Sequence, residues 1–165
     1  MTSIHLAINL VIMTYEWGDC ILETVKKASR MLDTATVVQV STIDALGFPN
    51  IVALTPLPLD RSLDTIYFYT THSSATVKNL ENSVNAAIYT FNESAHSSLM
   101  LKGRLIIVSA QELDQEWQSS LNGFQKSLHY PDPAILRFSA MAVKVREGGQ
   151  VTYSDLLAWT NSIQG

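Results

Sequence analysis

From Thr36 onward the chain is a succession of short apolar runs, rich in β-branched and aromatic residues, each stopped by residues that turn a backbone. TVVQVSTI (Thr36–Ile43) alternates well enough for a strand, and ALGFPN (Ala45–Asn50) supplies Gly47 and Pro49 as breakers. IVALTPLPL (Ile51–Leu59) reads as a second strand whose end Pro56 and Pro58 confine to an edge or a bulge. LDRSLD turns the chain into TIYFYTT (Thr65–Thr71); a polar loop and a short helix over Ala75–Asn82 lead to NAAIYTF. NESAHSS precedes a long fifth strand, LMLKGRLIIVS (Leu99–Ser109), in which Gly103 marks a bulge or bend. A sixth strand, AMAVKV, lies in Ile135–Val145, and EGGQ after it is a hairpin signal. Strands in this order do not alternate one-to-one with helices, which disfavours a doubly wound parallel sheet. They predict a mainly β fold, a closed antiparallel barrel with helical decorations.

The decorations follow from a different period. Trp17–Leu32 places Ile21, Leu22, Val25, Ala28, Met31 and Leu32 on one face, the three-and-four spacing of an amphipathic helix. Gln111–Leu128 does the same with Leu113, Trp117, Leu121, Phe124 and Leu128, and HYPDPA stops it. Tyr153–Ile163 is expected to be a terminal helix. No repeat or linker divides the 165 residues, so one domain over 1–165 is expected, with Met1–Ile12 as a disordered or helical lead-in.

Composition excludes several functions. Hydrophobic residues make up 47% and charged ones 16%, so part of the apolar surface is expected to be covered by another copy or a ligand. The 11 basic residues are scattered against 15 acidic ones, without the stripe a nucleic acid would require. His5, His72, His96, His129 and the single Cys20 are too dispersed for a metal site, and one cysteine suits a reducing cytoplasm. IHLAINLVIM (Ile4–Met13) lacks a basic flank and a cleavage site, and falls short of the roughly 20 residues of a membrane span, so neither export nor a membrane is expected. There is no GxSxG, GxxxxGK[ST] or helix-opening GxGxxG. Glu112 and Glu116 at i, i+4 read as a solvated face, and Cys20 has no evident histidine partner.

What remains is FYTTHSSATVKNLENSVNAAIYTF (Phe68–Phe91): strand, hydroxyl-rich loop, helix start, strand. Ser73, Ser74 and Thr76 place hydroxyls at a helix entrance, where free N–H groups favour an anion, and Thr70 and Thr71 add more. A serine there equally serves as an N-cap without any ligand. The loop holds no Arg or Lys, and Lys78 lies some way into the helix. Lys102 and Arg104 on the fifth strand are alternative cations for a phosphate, or residues of an exposed strand face.

The order of these pieces resembles the pyridoxamine 5′-phosphate oxidase-like FMN-binding split-barrel family, in its general stress protein branch, over about Thr36–Val145. The resemblance rests on the GFPN turn, on IYFYTT followed by S-S-x-x-x-K-x-L-E-N, and on AAIYTF as the next strand. MLKGRLIIVS leading into QELDQEW, and YPDPAILRF, complete it. It implies a six-stranded antiparallel split β-barrel, a homodimer with FMN between subunits, and flavin-dependent oxidoreductase activity on an unknown substrate. Tyr69 and Thr70 match the strand end that lines FMN, and Ser74 a phosphate-contacting serine; Thr76, Lys78 and Lys102 complete the expected cofactor-binding set. The chain departs from the family's pattern where an Arg-Lys pair follows that serine, since Ala75 and Thr76 stand there. It also lacks the cations of the second strand, and reads AVKV where many relatives have an aromatic pair. These departures keep a second reading in view, a non-catalytic dimeric split barrel that has lost FMN or binds another ligand. Pyridoxamine phosphate itself is not the expected substrate, because cations for a second phosphate are not evident.

Overall fold

The computed structural model describes residues 20–59, 61–113 and 117–156. A first helix, α1, is seen from residue 20 to 34. Seven strands follow: β1 (Val38–Ile43), β2 (Pro49–Leu54), β3 (Ile66–Thr71), β4 (Asn85–Asn92), β5 (Ser97–Val108), β6 (Pro133–Glu147) and β7 (Gln150–Asp155). Helix α2 (Ala75–Leu80) joins β3 to β4; a 3₁₀ turn (Ala110–Glu112) and α3 (Gly123–Ser127) lie between β5 and β6.

All pairings are antiparallel, in the order β2-β1-β4-β5-β6-β3, with β7 on the free half of β6. The ring is closed by the residues just past β2. Pro56 bridges to Phe68, and the Leu57 N–H donates to the Tyr67 carbonyl at 2.8 Å. A proline is tolerated at that position because it lies on the edge of β3, where its missing donor costs no ladder bond.

Alternation decides what lies inside. Val38, Val40 and Thr42 of β1, Ile66, Phe68 and Thr70 of β3, and Leu99, Leu101 and Leu105 of β5 are all buried. On β6 the buried set changes phase, from Leu136, Phe138 and Ala140 to Val143 and Val145. The ladder explains the shift: Lys102 pairs with Ala142 but Gly103 with Ala140, leaving Met141 as the extra residue of a bulge. A Cβ on Gly103 would run into the Ser139 carbonyl oxygen and lie 2.8 Å from the Phe138 ring, so only glycine fits the bend.

Helix α1 lays Thr24, Ala28 and Leu32 against this core. The Arg61 guanidinium closes its C-terminal end, donating to the Leu32 and Ala35 carbonyls at 3.3 and 2.9 Å. A second cluster forms outside the barrel, where Leu57, Val108, Leu113, Trp117 and Ile135 pack with Tyr67, Tyr69 and Leu121.

Three expectations change. The sheet has a seventh strand, because Gln150–Asp155 continues the EGGQ hairpin as β7 rather than starting a helix at Tyr153; the rest of that expected helix, 157–163, lies outside the described residues. Residues 135–145 belong to one 15-residue strand instead of a short segment and a strand. The continuous helix expected over Gln111–Leu128 is broken. Asn122 restarts it with a capping box, its side chain accepting from Gln125 N at 2.8 Å while the Gln125 side chain accepts from Asn122 N at 3.1 Å. Leu113, Trp117 and Leu121 still reach the outer cluster, but Phe124 is exposed. The lead-in over 1–12 and the start of the first helix at Trp17 lie outside the described residues. Among the described residues no helix is long and apolar enough to cross a membrane.

Candidate functional site

Strand β3 delivers the hydroxyl-rich loop to the end of the barrel. Its alternation sends neighbouring side chains to opposite sides: Thr70 is buried within, while Tyr69 faces the outer cluster. There the Tyr69 ring lies 5.9 Å from Trp117 and 5.3 Å from Tyr130, centroid to centroid, both tilted.

The loop is tied down by its own backbone. His72 N donates to Asp132 O at 3.0 Å, and Ser74 N to Thr71 O at 3.0 Å; the Thr71 and Ser73 hydroxyls stand 3.2 Å apart. Ser74 is extended and N-caps α2, its hydroxyl accepting from Val77 N at 3.2 Å. The Ala75 and Thr76 N–H groups open the helix and have no intrahelical acceptor, as at every helix start. The loop therefore fits a phosphate through its N–H and hydroxyl donors. It supplies no formal charge.

Position is set from below. The Asn79 Nδ2 donates to Thr42 Oγ1 at 2.9 Å, both residues buried, and Val77 inserts into the barrel core. This bond ties α2, and the loop it begins, to the inner face of β1. Thr76 is buried beside it, while Lys78 is exposed in the last turn, away from the entrance.

Two cavities are lined by residues near this segment or by Lys102. One of about 450 Å³ lies between the ends of β3, β5 and β6 and is lined by His72, Ser109, Trp117, Gln118 and Ala134, among others. The other, of about 380 Å³, is on the outward face of β1, β4 and β5, against Ser41, Ile43, Ala87, Gly103 and Met141, with Lys102 in its wall. Tyr69, Thr70, Ser74, Thr76 and Lys78 thus fall on the continuous β3–loop–α2 segment, and Lys102 stands apart on the sheet's exposed face. Among the described residues no group of three or more His, Cys, Asp or Glu could hold a metal ion.

Sequence reasoning missed the Asn79–Thr42 bond, since nothing local links residues so far apart.

The family model described as pyridoxamine 5′-phosphate oxidase matches residues 24–152. No curated protein matches the sequence. Among solved structures, a protein from Clostridium acetobutylicum related to general stress protein 26 of B. subtilis superposes with a TM-score of 0.68 at 19% identity. It covers 82% of this chain and 96% of its own. A pyridoxamine 5′-phosphate oxidase-related, FMN-binding protein from Nostoc punctiforme gives 0.57 at 14% identity, over 84% of this chain and 96% of its own. A heme-binding protein from Mycobacterium smegmatis gives 0.66 at 14% identity, over 84% of this chain and 60% of its own. At such identities the likenesses establish the fold.

Proposed function

The chain belongs to the pyridoxamine 5′-phosphate oxidase family, and from that premise we propose that it is a cytoplasmic, FMN-binding homodimer acting as a flavin-dependent oxidoreductase. The observation that carries this reading is the extent of the family match, whose bounds enclose β3, the loop at Ser74 and β5. The donors of the loop suit a phosphate, and a resemblance to an FMN-binding protein of the same fold agrees with that choice. When bound, the flavin ring supplies the electron and hydride chemistry.

In this reading the chain's own residues bind and orient. The N–H groups of Ala75 and Thr76, with the Ser73 and Ser74 hydroxyls, hold the phosphate. Thr70 and Tyr69 form the adjoining strand end, and Lys102 offers a cation from β5. The apolar side chains exposed on the β1–β2 hairpin, Leu46, Phe48 and Ile51, are 83%, 65% and 64% accessible and suit cover by a second subunit.

The second reading, a non-catalytic barrel that has lost FMN or binds another ligand, draws on one observation. Ala75 and Thr76 carry no charge, and Lys78 lies at the far end of α2. A charge-assisted bond to phosphate contributes roughly 1.5–3 kcal/mol, so losing two weakens binding by on the order of a hundredfold or more. The visible spectrum of gently purified protein, followed by FMN titration of the stripped form, separates the two. A flavin spectrum and saturable binding at micromolar FMN support the first. A colourless protein without saturable binding supports the second.

A further inference from the structure

A polar cavity lies where the first helix hands the chain to the barrel. Helix α1 ends at residue 34, and three residues lead from it into β1 at Val38. Beside that crossing, β4 and β5 meet in the hairpin turn between Asn92 and Ser97. The two segments enclose a cavity of about 350 Å³. The Ser74 loop belongs to the opposite end of β1, where α2 is tied to Thr42, about 13 Å along the strand from Val38.

The wall of this cavity is rich in hydroxyl groups and carries one charge. Ser97 is only 5% exposed, yet its hydroxyl has no hydrogen-bond partner among the described residues. A buried hydroxyl on a cavity wall in that state calls for a polar guest. Thr36 and Thr90 add two more hydroxyls. Thr34 is already committed as a donor, its Oγ1 lying 3.2 and 3.1 Å from the Arg30 and Met31 carbonyls, so it offers the cavity a lone pair. Glu93 is exposed, enters no ion pair among the described residues, and is the one ionisable side chain of the wall. The last turn of α1 borders the same space and brings the negative end of its dipole. The Arg61 guanidinium, spent on the Leu32 and Ala35 carbonyls, does not line it.

We propose that this cavity binds a small hydroxylated amine in its ammonium form, of the size of an amino sugar. The ammonium group is drawn to the Glu93 carboxylate, and the hydroxyl groups to Ser97, Thr36 and Thr90. The volume is at the low end for small-molecule sites and holds one six-membered ring, with Met31 as an apolar backing. An anion finds no cation in this wall, and a neutral polyol leaves the Glu93 charge unanswered. The proposal does not depend on what the Ser74 loop holds.

The test is an NMR titration of the full-length protein at about pH 6 with glucosamine, whose amine is then protonated, and with glucose, which has a hydroxyl in its place. Glucosamine is expected to saturate in roughly the millimolar range and to shift the amides of Thr36, Asn92 and Ser97, with glucose weaker by about tenfold. Glu93→Gln is expected to lose about tenfold in glucosamine affinity and to leave glucose unchanged. That substitution is at an exposed position, and an unchanged thermal midpoint shows that the fold is intact. Ser74→Asp should bind glucosamine as wild type does, whether or not FMN binds at the loop. Equal binding of the two sugars, no saturable binding, wild-type affinity in Glu93→Gln, or shifts confined to the Ser74 loop would each overturn the proposal.

Discussion

Two residues show how much a single side chain decides here. Ser74 has two roles that substitution can separate. Ser74→Ala removes the N-cap and should cost about 1 kcal/mol in urea denaturation. Ser74→Asp keeps a capping oxygen, so stability should hold while FMN affinity falls more than tenfold, because the new carboxylate repels a phosphate. Equal FMN affinity in Ser74→Asp and wild type would place the phosphate elsewhere. Gly103 is a different case, since its role is steric. Gly103→Ala drives a methyl group into the Ser139 carbonyl, a backbone atom that cannot swing aside, so a loss of about 3 kcal/mol is expected from the denaturation midpoint. The bend at Gly103 was legible because an isolated glycine in a β run signals a bulge. The residue that bulges, Met141, was not legible, because its displacement depends on a partner strand nearly forty positions away.

At the scale of elements, strands were easier to read than helices for a physical reason. Strands β1, β3 and most of β5 are buried on alternate residues, so VQVSTI, IYFYTT and LMLKGRL print the pattern directly. Leu113, Trp117 and Leu121 share helical spacing and are in fact gathered by the outer cluster, which rewards apolar side chains whatever backbone presents them. The capping box at Asn122 was there to be read, as N-x-x-Q, and it overrules the period. The candidate site was legible as far as the Ser74 loop and no further, because the docking of α2 depends on a long-range bond. Asn79→Leu leaves the Thr42 hydroxyl buried without its donor and should destabilise the fold by about 1–3 kcal/mol. Adding Thr42→Val should recover part of that loss, so the double variant is less than additive in urea denaturation. Strict additivity would mean that the two side chains do not cooperate in holding α2.

For the whole molecule, the apolar side chains exposed on the β1–β2 hairpin are the surface that a second subunit would cover. If the proposed dimer forms through this hairpin, replacing Leu46, Phe48 and Ile51 together by serine should leave a monomer by light scattering, with little change in the far-ultraviolet spectrum, because all three are exposed in the single chain. A monomeric wild type at working concentration would remove the basis for any site between subunits. Strand β6 carries a further consequence, in the order of events during folding. It pairs with β5 along one edge and with β3 and β7 along the other, and its partners in β3 lie between 62 residues away (Thr71 to Pro133) and 72 (Ile66 to Phe138). A chain growing from the ribosome can form the β1–β2 hairpin early, yet β3 waits with an open edge until β6 has emerged. Such late, non-local closure makes for slow folding. In the interval Ile66, Phe68 and the rest of β3 are an adhesive strand, and crowding by other nascent chains will find them first.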